Sequence, residues 1–392
     1  MGFTVEQECP QCGAPIELDE TDRIMLCPYC GVKNFLFAPR FFRFLLPHKA
    51  PERDIIYAPY LRVKGNVFFC HGINVSHRFL DITRLGISSK YIPVSLGVRP
   101  QAMKLKFISP DTRGSFLKFS ADPKEMMAKA VKQRSCSLPG RLLHNAFIGE
   151  TISLVYLPLY IDKGKLFDAV LNRPVQVFSE GFHFSEDSIE KNTRRWRIMF
   201  LATLCPGCGW NLQGEKDSAV MICRNCDSAW EASEGKFVQV DFSVVPGSGN
   251  ETVYLPFWKI SVNVSGVEIN SFGDFVRVTN QPRILEKKIA DQDMSFWCPA
   301  FRIRPGIFLN LARHATISQD MSKTVKTLPG KSIFPATLPK TEALQSMKVT
   351  LASSAMNKTD LFPLLPKVRF KIKASMLVFM PFSETPVSYT HL

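Results

Sequence analysis

Eleven cysteines stand out in this 392-residue chain, and eight of them fall into four Cys-x-x-Cys pairs. Cys9-Pro-Gln-Cys12-Gly precedes Cys27-Pro-Tyr-Cys30-Gly, and Cys205-Pro-Gly-Cys208-Gly precedes Cys223-Arg-Asn-Cys226-Asp, with 14 residues between the pairs each time. Two such pairs can aim four thiolates at one tetrahedral ion, because each forms a tight knuckle with both sulfurs on one side. Glycine after the second cysteine suits a positive φ there, and Asp227 tolerates that backbone better than most residues. The spacing therefore predicts two four-cysteine centres, each holding a structural Zn²⁺. Iron in an electron-transfer centre and reactive dithiols are the alternatives, and iron would colour the protein red. Metal binding in such small modules is worth about 10–16 kcal/mol, enough to decide whether they fold.

Both modules resemble zinc ribbons of the rubredoxin-like, transcription-factor-B type. With the segments that follow them, the chain is similar to an uncharacterised bacterial group of tandem zinc-ribbon proteins. The ribbon match covers about 45 of the 392 residues. It implies metal and local fold and leaves function open, since ribbons serve as nucleic-acid binders, polymerase subunits and interaction modules.

The other candidates for chemistry are weak. Cys70, Cys136 and Cys298 are isolated, and Cys70 beside His71 reads as a buried thiol next to an ordinary histidine. The sequence Gly330-Lys331-Ser332 has the tail of a phosphate loop, but Val325 stands where its first glycine is needed. No nucleophile elbow, zinc-protease helix or kinase set occurs. Four thiolates also close a zinc shell and leave no place for a bound water, so the expectation is a protein that is not an enzyme.

The elements that must position the cysteines read as a duplication. Ile56-Tyr57-Ala-Pro59 follows the first ribbon as Val253-Tyr254-Leu-Pro256 follows the second, 48 residues from Cys9 to Tyr57 and 49 from Cys205 to Tyr254. Further on, Tyr91-Ile-Pro93 with Arg99-Pro100 corresponds to Trp297-Cys-Pro299 with Arg304-Pro305, and Tyr156-Leu-Pro158 to Phe379-Met-Pro381. The fold class expected is mainly β or α+β, two ribbons each followed by a strand-rich domain. The divisions are a ribbon over 1–33, a β-rich domain over 34–180, a helical connector over 181–204, a second ribbon over 205–232 and a second β-rich domain over 233–386. That last domain looks cut short, and 387–392 resembles a translated adapter tail.

Alternation and β-branched content predict strands over 62–69, 104–108, 237–245, 260–269 and 368–373. Asp122-Pro123-Lys124-Glu125 predicts a helix to about Arg134, and 340–348 a second.

Charge sharpens the functional expectation. The net charge is +14, but residues 1–30 hold one basic residue against six acidic, whereas 51–150 hold 16 against 7 and 301–392 hold 13 against 4. Acidic ribbons on basic β domains point to a non-enzymatic scaffold or adaptor with protein partners. The alternative is nucleic-acid binding by the basic β faces, with Lys104, Lys106, Lys129 and Lys132 as the contact residues and nearby phenylalanines stacking bases. The amino terminus lacks the pattern of a signal peptide and no apolar run of membrane-spanning length occurs, so a cytoplasmic location is expected. The phenylalanine-rich stretch 35–46 reads as core rather than as a membrane-surface segment.

Overall fold

The computed structural model describes residues 2–50, 54–109, 111–177, 184–247, 252–320 and 322–383. The tail 387–392, residues 384–386 of the second β domain and 181–183 of the connector lie outside them.

Strand β1 (Ile56–His71) is the spine of the first half. Its side chains alternate with period two: Tyr57, Leu61, Val63, Val67 and Phe69 enter one core, while Ala58 and Tyr60 enter a second and Phe68 and Cys70 a third. A turn at Gly72 leads into β2 (Asn74–Leu85), antiparallel to β1. Helix α1 (Pro123–Ser135) begins where the sequence predicts, with the Asp122 carboxylate accepting from the Lys124 N–H at 2.9 Å and proline in the first turn. Strand β3 (Leu142–Asp162) then returns along the other side of β1.

The second half has β4 (Thr252–Ser265), β5 (Ser295–Pro299), α2 (Pro305–Ser318), α3 (Lys340–Ser354) and β6 (Arg369–Ser383). β4 pairs antiparallel with both β5 and β6. The fold is thus mainly β with few helices.

The two halves share a register. Tyr57 lies opposite Pro158 and Pro59 opposite Tyr156; Tyr254 lies opposite Pro381 and Pro256 opposite Phe379. A short strand runs parallel to the return strand in each half, placing Leu45 beside Tyr156 and Val244 beside Phe379. The Leu117 N–H donates to the Tyr57 carbonyl at 2.9 Å, and the Phe334 N–H to the Tyr254 carbonyl at 2.8 Å. Six residues after those donors, α1 and α3 begin.

One expected correspondence shifts. Gly86 donates to the Pro59 carbonyl as Ala300 donates to that of Pro256, which sets β2 against β5. Tyr91-Ile-Pro93 therefore lies beyond the strand, where the Tyr60 hydroxyl donates to the Pro93 carbonyl at 2.7 Å.

The helical connector is a correction. Its described part carries two 3₁₀ turns, Glu186–Ser188 and Thr193–Trp196, and a strand, Met199–Ala202. That strand pairs antiparallel with Lys33–Phe37 of the first ribbon, and Trp196 wedges against Phe116 and Tyr156 with Arg43 over its ring. Tertiary pairing and burial outweigh the local helical pattern. The boundary expected at residue 33 falls at the start of the strand Lys33–Phe37. Phe35, Leu36, Phe44 and Leu46 are buried, so this stretch is core.

The halves meet through α3. Phe68, Cys70, Ala146 and Ile148 of the first half join one core with Trp258, Phe296, Met347 and Leu351 of the second. β3 bulges between Ile148 and Thr151, and Gly149 there has a φ of 71°. The freed N–H groups of Gly149 and Glu150 donate to the Glu342 carboxylate on α3, the second at 3.1 Å.

Candidate metal centres

Two groups of four cysteines converge, Cys9, Cys12, Cys27 and Cys30 in one and Cys205, Cys208, Cys223 and Cys226 in the other, each with all its sulfurs within 4.8 Å of one another. The Cys9–Cys30 and Cys12–Cys27 sulfurs lie 3.7 Å apart, Cys205–Cys226 3.6 Å and Cys208–Cys223 3.5 Å. Sulfurs about 2.3 Å from a tetrahedral ion sit about 3.8 Å from each other, whereas a disulfide requires about 2.05 Å. The donor sets fit one four-coordinate ion each.

Each knuckle is built by its backbone. Gly13, Gly31 and Gly209 adopt φ of 74°, 71° and 73°, and their N–H groups donate to the carbonyls of Cys9, Cys27 and Cys205. Asp227, at φ 48°, takes the fourth such position and adds a contact glycine cannot make: its carboxylate accepts from the Leu328 N–H at 3.0 Å. The first cysteine of every knuckle is buried and the second exposed. Donation from the Cys30 and Tyr29 N–H groups holds the Cys27 thiol down at about 7. The Asn225 side chain, followed by the Trp210 N–H, brings Cys208 to about 6. Both shifts favour a thiolate at Cys27 and Cys208, while burial and the neighbouring thiols push Cys30 and Cys226 up to about 12.

The centres differ outside the ligands. Trp230 Nε1–H donates to Ser228 Oγ at 2.8 Å, and that hydroxyl lies 3.1 Å from the Cys226 sulfur. Val32 occupies the matching place after Cys30. A serine two residues beyond a ligand is legible in the sequence, but its partner becomes visible only with the strand Ser228–Ser233.

The ribbons do not stand apart. In the first, Thr4–Glu8 pairs antiparallel with Pro15–Asp19 and parallel with Lys104–Phe107, which merges the ribbon with the large sheet of the first half. Glu20, in the ribbon, is wholly buried with its carboxylate on Arg62 Nε at 2.5 Å; Asp81 meets the other side of that guanidinium at 2.7 Å. The second ribbon binds its own half through Arg224, which donates to the carbonyls of Pro329 and Lys331, and through the Ala219 N–H on Ala336.

The two ribbons also bind each other. Ile24 and Phe35 of the first pack in one core with Leu212, Met221, Trp230 and the buried Cys205 and Cys223 of the second. Arg23 and Ile24 N–H groups donate to the Lys216 carbonyl, and Lys33 to that of Gly214.

The cations singled out from the sequence are placed as two pairs, Lys104 with Lys106 on one strand and Lys129 with Lys132 on α1. Lys104 is bonded to Glu17 and Lys106 lies 3.6 Å from Glu6, both in the first ribbon, while Lys129 pairs with Glu125 at 2.8 Å. Two cations of the basic sheet are thus paired with carboxylates of the acidic ribbon. Phe107 packs on Phe44, Phe116 on Tyr57 and Phe370 on Phe296, so these rings fill cores.

The isolated cysteines carry no ligand set. Burial pushes the Cys70 and Cys298 thiols up to about 12, and Cys136 ends α1 in solvent. His71 bonds the Pro139 carbonyl and the Ser76 hydroxyl, one ring nitrogen to each.

Among the described residues, no helix is long and apolar enough to cross a membrane. No protein-family model, curated protein or solved structure matches the chain.

Proposed function

We propose that the protein is a non-enzymatic zinc-binding scaffold or adaptor, built from two duplicated ribbon-plus-β units, that holds other macromolecules, proteins foremost. The observation that carries this reading is the core shared by the ribbons, with Phe35 and Ile24 of one against Trp230 and Met221 of the other. The second centre, whose buried Cys205 and Cys223 lie in that junction, would staple the two units in one relation, and a four-thiolate shell offers no open coordination site to a substrate.

The repeated register of Tyr57, Pro59, Tyr156 and Pro158 in Tyr254, Pro256, Phe379 and Pro381 supports the duplication. Zinc is the ion that four thiolates in tetrahedral array suit best, and at each ribbon it would supply folding energy rather than chemistry. Eleven cysteines without a disulfide fit the reducing cytoplasm, where we place the protein. Ion pairs engage Lys104, Lys106 and Lys129, three of the four cations expected to contact phosphate, which at those positions favours protein partners over nucleic acid.

The test is in-cell crosslinking of the intact chain followed by mass spectrometry. A protein partner recovered in near-stoichiometric yield, and lost with the Cys27→Ser variant, is the expected result. Recovery of nucleic acid instead, with salt-sensitive retention by the purified protein, would overturn it in favour of the basic faces.

A further inference from the structure

The repeated register makes the two halves comparable, and several helices of the second half have no counterpart in the first, among them Phe272–Val278 and α2. In the second half, α2 lies beside β5 and α3, burying a stripe of Phe308, Ala312 and Thr316. Thr316 closes the outer edge of β5: its hydroxyl accepts from the Trp297 N–H at 3.0 Å and lies 3.3 Å from the Trp297 carbonyl. In the first half, the chain after β2 makes only the 3₁₀ turn Pro100–Ala102 before leaving along Lys104–Phe107.

Between β2 and α1, which the register sets against β5 and α3, lies an open groove of about 920 Å³. Leu80, Ile82, Met126 and Ala130 form its floor. α1 is correspondingly bare: only Val131 is fully buried, whereas α3 buries nine residues. From Arg78 to Arg84 the floor runs about 20 Å at 3.3 Å per residue, the length of a helix of about 13 residues.

We propose that this groove receives an amphipathic α-helix of a partner protein, with carboxylates flanking its apolar stripe. The charge of the lining selects the partner. Glu125 is engaged by Lys129, and Asp122 caps α1, so neither balances Arg78, Arg84 or Arg134. Among the described residues, no carboxylate pairs with those three arginines, and each lines the groove. A second copy offering its own α2 would bring Arg313 and His314 against them and is disfavoured. The proposal rests on the adaptor reading and names the surface and the partner chemistry.

The test uses the full metal-loaded chain and two synthetic helical peptides with the same Phe, Ala, Thr stripe, one flanked by Glu and one by Lys, followed by fluorescence anisotropy. The Glu peptide is expected to bind at least about tenfold more tightly than the Lys peptide. The Arg78→Glu/Arg84→Glu variant, with an unchanged melting temperature, is expected to reverse that order. Equal binding of both peptides, no binding of the Glu peptide, or competition from a self-association of the chain would overturn the proposal. In crosslinking, a partner joined elsewhere than β2 and α1 would also overturn it while leaving the adaptor reading intact; absence of any partner would remove both.

Discussion

Phe35 in the first ribbon and Phe237 in the sheet of the second meet edge to face, with ring centroids 5.9 Å apart and planes at 76°. The first ribbon thus helps to wall the second centre, whose buried Cys205 and Cys223 share that core. Phe35→Ala is expected to destabilise the protein by about 3 kcal/mol or more, as for other buried phenylalanines. Because the core is shared, metal should leave both centres faster. Competition with a chromogenic chelator measures the two rates, and faster release from one centre alone would contradict the coupling.

Arg62, 1% exposed, is held between Glu20 and Asp81. Arg62→Ala leaves the Glu20 carboxylate buried without its main partner and is expected to cost about 3–5 kcal/mol. The Glu20→Gln/Arg62→Met pair should recover much of that loss, because neither residue then carries a charge. Urea unfolding of the single and double variants checks both statements.

The junction between the halves is expected to respond to pH. Burial, then the neighbouring Glu342 carboxylate, pushes Glu150 up to about 7. The folded chain thus keeps a proton that the unfolded chain releases above its ordinary value of 4.5. This contribution to stability is complete below about 4.5 and lost as pH rises through about 7. Glu150→Gln is therefore expected to stabilise the protein at about pH 8, by on the order of 2 kcal/mol, and to be nearly neutral at about pH 5. Denaturant midpoints at the two pH values test the sign.

The two cysteine tetrads are the most legible part of the sequence, since four cysteines at fixed spacing and a positive-φ residue after each pair specify a knuckle locally. The same holds for α1, whose Asp122 cap and Pro123 lie within one turn. What stays hidden depends on contacts far along the chain. Met199–Ala202 is a strand because Lys33–Phe37 offers it an edge, with Met199 opposite Phe37, a partner no window of local pattern contains. β3 is legible only at its Tyr156 end because both its faces are buried, which erases simple alternation. The charge contrast is legible as a contrast, but its partner is internal: Glu6 and Glu17 face Lys106 and Lys104.

Single-ligand variants separate the centres. Cys12→Ser and Cys208→Ser, at exposed ligand positions, are each expected to lower the metal content by about one ion per chain while most of the β structure remains. Inductively coupled plasma mass spectrometry on the purified variants gives the counts, and an unchanged count would remove that cysteine from the ligand set.

The most direct test of the stapled junction is the metal content and thermal unfolding of the intact chain before and after chelation. The account predicts two zinc ions per colourless chain, and a single cooperative transition that moves to much lower temperature when both are withdrawn. A protein without bound metal, or one whose transition is unmoved by chelation, would contradict it.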